Sequence, residues 1–221
     1  MTLQPQSLNA QFLKNVQLNY LLYLPDEYEK ANEPLPMILY LHGRGERGSD
    51  LKLVKKHGIA KRLAAGDQFP FIILAPQCPL PSDWSVQLDA LDALVDYALT
   101  TYRVDPARLY LTGLSMGGRG AWSLAFMRPH RFAAIAPICA RRPDILRDAH
   151  QMMELKHLPA WIFHGAKDDT VPVEESELMM KQLQECGADA RLTIYPDAKH
   201  DSWTQAYNTP ELYEWFLSHK L

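Results

Sequence analysis

Ser115 stands in the run Arg108-Leu-Tyr-Leu-Thr-Gly113-Leu114-Ser115-Met116-Gly117-Gly118, an apolar stretch followed by G-x-S-x-G and a helix-compatible segment reaching Met127. A serine on a tight strand-to-helix turn is pushed into a cleft, and the turn needs small neighbours because its backbone is strained and crowded. The helix that opens there aims its amides and the positive end of its dipole at the same place. Serine is unreactive at neutral pH, so it needs a base, and the base needs an acid to orient it. Two later stretches can supply them: His164-Gly-Ala-Lys-Asp168-Asp169-Thr-Val-Pro172 and Tyr195-Pro-Asp-Ala-Lys-His200-Asp-Ser-Trp203. The order Ser115, Asp168, His200, at spacings of 53 and 32 residues, places an acid after one strand and a histidine after the next. The bland alternative for the first motif is a glycine-rich βα turn; the flanking strand and helix favour the nucleophile.

A fourth element is Leu39-Tyr40-Leu41-His42-Gly43-Arg44-Gly45, a strand running into a small-residue loop. A tetrahedral intermediate needs two N–H donors, one after the nucleophile and one from an early loop, which here are the backbone amides of Met116 and Arg44. His57, His130, His150, His157 and His219 fall in helical or connecting segments away from strand ends, where solvated or packing roles are expected. His164 belongs to a His-Gly turn that shapes the acid loop. Asp169 competes with Asp168 for the acid position.

The elements that must hold these residues alternate. Strand-like runs are Val16–Leu24, Met37–Leu41, Phe69–Ala75, Arg108–Thr112, Phe132–Pro137, Ala160–His164 and Arg191–Tyr195. Several are apolar almost throughout, as in strands buried on both faces of a parallel sheet. Val86–Tyr102, Met116–Met127 and Glu174–Glu185 carry apolar residues at helical spacing. A last helix runs from Trp203 or Thr204 to Ser218, with Pro210 in its first turn or interrupting it. Strand–helix alternation predicts an α/β fold whose ligands bind beyond the carboxyl ends of the strands.

Composition bounds the rest. A chain of 221 residues fits a single domain, 1–221. Hydrophobic residues make up 47% and charged residues 22%, which excludes disorder as the main state. With 23 basic against 26 acidic residues and no like-charge block, no nucleic-acid partner is expected. No run approaches a membrane span, and Met1–Ser7 lacks the basic and apolar regions of a signal peptide. Cys78, Cys139 and Cys186 are far apart and odd in number, so neither a disulfide framework nor a zinc site is expected. The expected setting is reducing and cytoplasmic, without membrane partners. Oligomeric state is open between monomer and homodimer. Gly43–Ser49 lacks the lysine of a P-loop, and Gly113–Gly120 lacks dinucleotide-binding spacing.

Four stretches, L-H-G-R-G, G-L-S-M-G-G, H-G-A-K-D-D-T-V-P and K-H-D-S-W, run in order from Leu41 to Trp203. In these the chain resembles the α/β-hydrolase superfamily, and within it the compact carboxylesterase, phospholipase and dienelactone-hydrolase-like group. The resemblance implies a three-layer fold, a mainly parallel twisted sheet flanked by helices, and a serine hydrolase with neither metal nor organic cofactor. In that group the acid is the fourth residue after the histidine of H-G-x-x-D-x-x-V-P, here Asp168. Ser115 departs from the cysteine nucleophile usual in dienelactone hydrolases proper. Only Ala140–Leu158 occupies the position where lidded members carry long insertions, so no large cap domain is expected. The loop from Pro76 to Ser85 is expected to line the pocket, with Trp84 and Trp203 as candidate pocket residues.

The expected activity is hydrolysis of small-molecule carboxylic esters, short acyl groups preferred, through an acyl-enzyme. The alternatives are an acyl-thioesterase or lysophospholipase, an aromatic cinnamoyl-type esterase, and a non-enzymatic hydrolase-like binding scaffold.

Overall fold

Along the strand Leu35–Leu41, Met37, Leu39 and Leu41 join one buried cluster while Ile38 and Tyr40 join another. Successive side chains of a strand point to opposite faces, so this apolar run is covered by helices on both sides. The computed structural model describes residues 14–143 and 149–221. Among them, seven strands form one sheet: β1 (Asn19–Tyr23), β2 (Leu35–Leu41), β3 (Ile72–Gln77), β4 (Val104–Leu114), β5 (Ala134–Ile138), β6 (Ala160–Gly165) and β7 (Ala190–Tyr195). Their spatial order is β1-β3-β2-β4-β5-β6-β7. Only the edge strand β1 is antiparallel to its neighbour; every other pairing is parallel.

The helices are α1 (Gly58–Ala64), α2 (Leu88–Thr101), α3 (Met116–Met127), α4 (Ala149–Glu154), α5 (Glu174–Glu185), α6 (Trp203–Tyr207) and α7 (Pro210–Leu217). Leu91 and Val95 of α2, Trp122 and Leu124 of α3, and Met179 and Leu183 of α5 pack on one face of the sheet. Ile59 and Ala60 of α1, Ala206 and Tyr207 of α6, and Leu212 and Phe216 of α7 pack on the other. The result is the expected three-layer α/β architecture, with no large cap among the described residues.

Several boundaries differ from the sequence reading. The first strand is five residues long rather than nine, because only Asn19–Tyr23 has a partner, in β3. The strand before Ser115 begins at Val104, because Leu35 pairs with Val104 before the register shifts. The last helix is two. Thr209 is extended and Pro210 opens α7, at the helix position where a missing N–H costs nothing. The expected helix Met116–Met127 and that of Glu174–Glu185 are observed with those bounds. Residues 42–65, unassigned from sequence, hold two 3-10 turns (Arg44–Glu46 and Leu53–Lys56) and α1.

Candidate active site

Because β2, β4, β6 and β7 are parallel, the loops that follow them meet at one edge of the sheet. Arg44 follows β2, Ser115 follows β4, Asp168 follows β6 and His200 follows β7. Ser115 has φ 53° and ψ −114°, a conformation that costs free energy and that the surroundings must impose. They do so through close backbone approach. A Cβ on Gly117 would lie 2.0 Å from the Leu41 carbonyl oxygen, and one on Gly113 would lie 2.5 Å from the Gly117 carbonyl carbon. The Ser115 amide donates to the Ile138 carbonyl at 2.9 Å, fixing the turn against β5.

His200 Nε2 lies 2.9 Å from Ser115 Oγ, and its Nδ1 lies 2.8 Å from Asp168 Oδ2. The carboxylate accepts at Nδ1, so that nitrogen carries the proton and Nε2 is left to accept from the serine hydroxyl. Asp168 Oδ1 accepts from the amides of Thr170 and Val171, both at 2.9 Å. Burial raises the Asp168 pKa, but the His200 hydrogen bond and these two amides outweigh it and hold the carboxyl below the usual range. Asp169 is exposed and, among the described residues, accepts at 3.3 Å from its neighbour Thr170 alone. Asp168, not Asp169, therefore reaches His200.

His164 holds the acid loop from below. Fully buried, it contacts Ser176 Oγ through Nδ1 at 2.6 Å and the Val171 carbonyl through Nε2 at 3.0 Å. Gly165 lets this loop touch the histidine loop: a Cβ there would lie 2.3 Å from the Lys199 carbonyl oxygen. Met116 is the first residue of α3, so its amide is among those a helix cannot bond to itself. Arg44 opens the 3-10 turn after β2, and its carbonyl accepts from Arg47 Nε at 3.0 Å.

Two adjoining hollows meet at Ser115. One, of about 190 Å³, is lined by Arg44, Met116, Asp83, Ser85, Arg119 and Arg141 among others. The second, of about 280 Å³, is lined by Arg44, Glu46, His57, His200, Thr170 and Trp203 among others. Trp203 is half-buried, its ring edge-on to His200 at 5.4 Å. Trp84 corrects the expectation of a pocket wall. It is 1% exposed, its Nε1 donates to the His42 carbonyl at 2.9 Å, and it packs on Gly120, where a side chain would collide with it. Its neighbours Asp83 and Ser85 reach the hollow instead.

Sequence reasoning missed Glu46, His57, Arg119 and Arg141, because none stands at a motif position. Glu46 is buried, and burial raises its pKa against the pull of His57, the Gly43 amide and Lys56. His57 was set aside as solvated or packing, yet it borders the hollow of Ser115. Of the other histidines, His130 and His157 are exposed and pair with each other at 6.5 Å between ring centres, and the side chain of His150 lies outside the described residues. Among the described residues, no cluster could hold a metal ion, and no helix is long and apolar enough to cross a membrane.

A mostly parallel sheet with Ser, Asp and His following β4, β6 and β7 in that chain order defines an α/β-hydrolase. Residues 82–210, more than half of the chain, match the dienelactone hydrolase family, and the chain belongs to it. A "Putative carboxymethylenebutenolidase" of Escherichia coli strain K12 is 32% identical over 100 residues, covering 43% of this chain and 37% of that protein. A bifunctional acetylxylan esterase/xylanase, XynS20E of Neocallimastix patriciarum, is 24% identical over 189 residues, covering 81% of this chain and 26% of that one. The crystal structure of a thermostable esterase superposes with a TM-score of 0.78 at 31% identity, covering 93% of this chain and 60% of that one. The chain thus spans less than two thirds of each of these relatives.

Proposed function

We propose that this chain is a serine carboxylesterase that hydrolyses small-molecule esters with short acyl groups through an acyl-enzyme. The observation that carries the reading is the unbroken line from Ser115 Oγ to His200 Nε2 at 2.9 Å and from His200 Nδ1 to Asp168 Oδ2 at 2.8 Å. As Ser115 Oγ attacks the ester carbonyl carbon, His200 Nε2 takes its proton. Asp168 holds the imidazole in the right tautomer and stabilises the imidazolium. The carbonyl oxygen, now anionic, is bound by the amides of Met116 and Arg44. His200 then gives its proton to the leaving alkoxide as the C–O bond breaks. A water repeats the sequence, losing its proton to His200, and the released acid leaves Ser115 protonated again.

Short acyl groups fit the hollows. At about 190 and 280 Å³ they fall below the roughly 300–1,000 Å³ of sites for larger ligands. One of them carries Arg44, Arg119, Arg141 and Asp83, so a long acyl chain finds little apolar wall there. A buried methylene gains about 0.8 kcal/mol only against such a wall. The aromatic-acyl alternative loses its main support with Trp84 buried in the core.

The test is labelling with a fluorophosphonate together with specificity constants for aryl esters of increasing acyl length. The label should fall on Ser115 and vanish in Ser115→Ala, and kcat/KM should peak at about two to six acyl carbons. Labelling at another residue would remove the serine assignment. A peak at long chains, or preference for a lysophospholipid, would favour the thioesterase–lysophospholipase alternative.

A further inference from the structure

Glu46 lies two residues past Arg44 with only 6% of its side chain exposed, and it lines the same hollow as Ser115 and His200. Among the described residues its Oε2 has no hydrogen-bond partner. His42 Nδ1 is 3.9 Å from Oε2 and His57 Nε2 is 3.9 Å from Oε1, both beyond hydrogen-bond reach. A buried carboxyl oxygen left this way is costly and calls for a partner, and Glu46, unlike a group packed in the core, borders a hollow from which a ligand can supply one.

His57 is held in place for the same hollow. Tyr40 Oη donates to the His57 carbonyl at 3.1 Å. The next residue, Gly58, takes φ +62° where a Cβ would lie 2.5 Å from that hydroxyl. The imidazole packs on Trp203 at 5.4 Å, and Trp203 also touches His200. His200 is the group that would protonate the leaving alcohol, so His57 and Glu46 lie toward the alcohol side. A third hollow of about 150 Å³ continues from His57 and Trp203 and is lined by Lys61, Arg62, Asp67 and Asn208 among others, all able to hydrogen-bond.

We propose that Glu46 and His57 bind hydroxyl groups on the alcohol part of the ester, which makes this an esterase for polyhydroxylated alcohols rather than simple alkyl alcohols. The inference rests on the esterase reading above. A hydroxyl is both donor and acceptor, so it satisfies Glu46 Oε2 in either protonation state, and an O–H···O⁻ bond is among the stronger ones. An alkyl group in its place would leave Oε2 without a hydrogen bond. Sites built around a hydroxyl reject analogues lacking it for that reason.

The test compares glycerol monoacetate with propyl acetate, which share the acyl group and the carbon count of the alcohol, in the full chain and in Glu46→Met and His57→Phe. The wild type should favour the glycerol ester at least about tenfold in kcat/KM, mostly through KM, as expected of binding shared by ground and transition states. In Glu46→Met the ratio should fall to within about threefold of unity, and in His57→Phe it should fall part of the way. A wild-type ratio near one overturns the inference, as does a ratio unchanged by the substitutions or an equal loss on both esters. His57 is 40% exposed, so its variant decides the matter if Glu46→Met does not fold. Loss of fluorophosphonate labelling at Ser115 would remove the esterase reading and this inference with it. Intact labelling with a ratio near one removes this inference alone.

Discussion

The two sides of the hollow at Ser115 are built by different means. On the Asp168 side, both carboxyl oxygens, both imidazole nitrogens of His200 and the Ser115 hydroxyl have partners. The supports behind them are backbone contacts at Gly113, Gly117 and Gly165, where no side chain fits. On the Glu46 side, a buried carboxyl oxygen has no partner, His57 is 40% exposed, and Gly45 has open space around it. The contrast separates two tasks. Groups that move a proton must be fixed before the substrate arrives, because reorganisation would add to the barrier. Groups that recognise a substrate can be left incomplete, since the ligand supplies the missing partner.

The sharpest way to break this comparison is at the fixed side. Ser115→Ala should lower kcat/KM by about 10⁴-fold or more, measured on the best short-chain ester. A loss under about tenfold would mean that the ordered hydrogen bonds do not serve turnover. Asp168→Asn should cost about 10³-fold or more, because the amide can present the wrong group to His200 Nδ1. Asp169→Asn should cost less than about threefold, as an exposed substitution away from the line. The reverse ranking would place the working acid one residue later and remove Asp168 from the site.

The glycines sharpen the comparison in stability rather than rate. At Gly117 an added Cβ would meet the main chain of Leu41 and His42 at 2.0 to 2.6 Å, atoms that cannot give way cheaply. Gly117→Ala should therefore destabilise by about 3 kcal/mol or more, or prevent folding. At Gly45 nothing lies within 4 Å of an added Cβ, so Gly45→Ala should change stability by less than about 0.5 kcal/mol. Chemical denaturation of the two variants reads the difference. Similar losses would mean that the early loop is as tightly determined as the elbow.

What was legible in the sequence follows the same division. Ser115, Asp168 and His200 could be found because backbone geometry restricts their neighbours to small or turn-forming residues, and such restrictions leave a spaced pattern. The buried strands were legible because the β2 and β6 runs are apolar on both faces. Glu46, His57 and the Arg119–Arg141 wall were not, because their places depend on how residues 42–65 fold back over the sheet edge. That stretch is polar, contains α1 as only seven residues, and offers no period long enough to read. Trp84 was misplaced for a related reason. Its proline-rich loop is exposed at Leu80 and Ser85, and nothing local tells that the indole between them turns inward to the His42 carbonyl.

The last expected effect is on pH dependence and concerns His42, buried just before Gly43 and the turn that carries Arg44 and Glu46. Its side chain is fully buried, and the Cys78 amide donates to Nε2 at 3.0 Å, so that nitrogen must carry a lone pair. Nδ1 lies 2.6 Å from the Gly43 carbonyl and holds the proton. Burial is the main cause, with Arg47 adding to it against the Gly43 carbonyl, that drives the His42 pKa from 6.5 down to about 4. In the unfolded chain this imidazole takes up a proton as pH falls below about 6.5, whereas in the folded chain it resists until about pH 4. Stability is therefore complete above the unfolded value and is lost across that window as pH falls, by about 3 kcal/mol in all at 1.36 kcal/mol per unit. Glu46 acts in the opposite sense, since its raised pKa favours the folded state as pH falls toward its ordinary value. The measurement is therefore a difference: denaturant unfolding of wild type and His42→Gln at about pH 7 and about pH 4.5, the glutamine keeping a donor and an acceptor without titrating. The wild type should lose about 2–3 kcal/mol more than the variant between the two conditions. Equal losses would mean that the imidazole already accepts a proton when folded. The ring between the Cys78 amide and the Gly43 carbonyl would then be open to water, and the turn that carries Arg44 and Glu46 would lack a dry base.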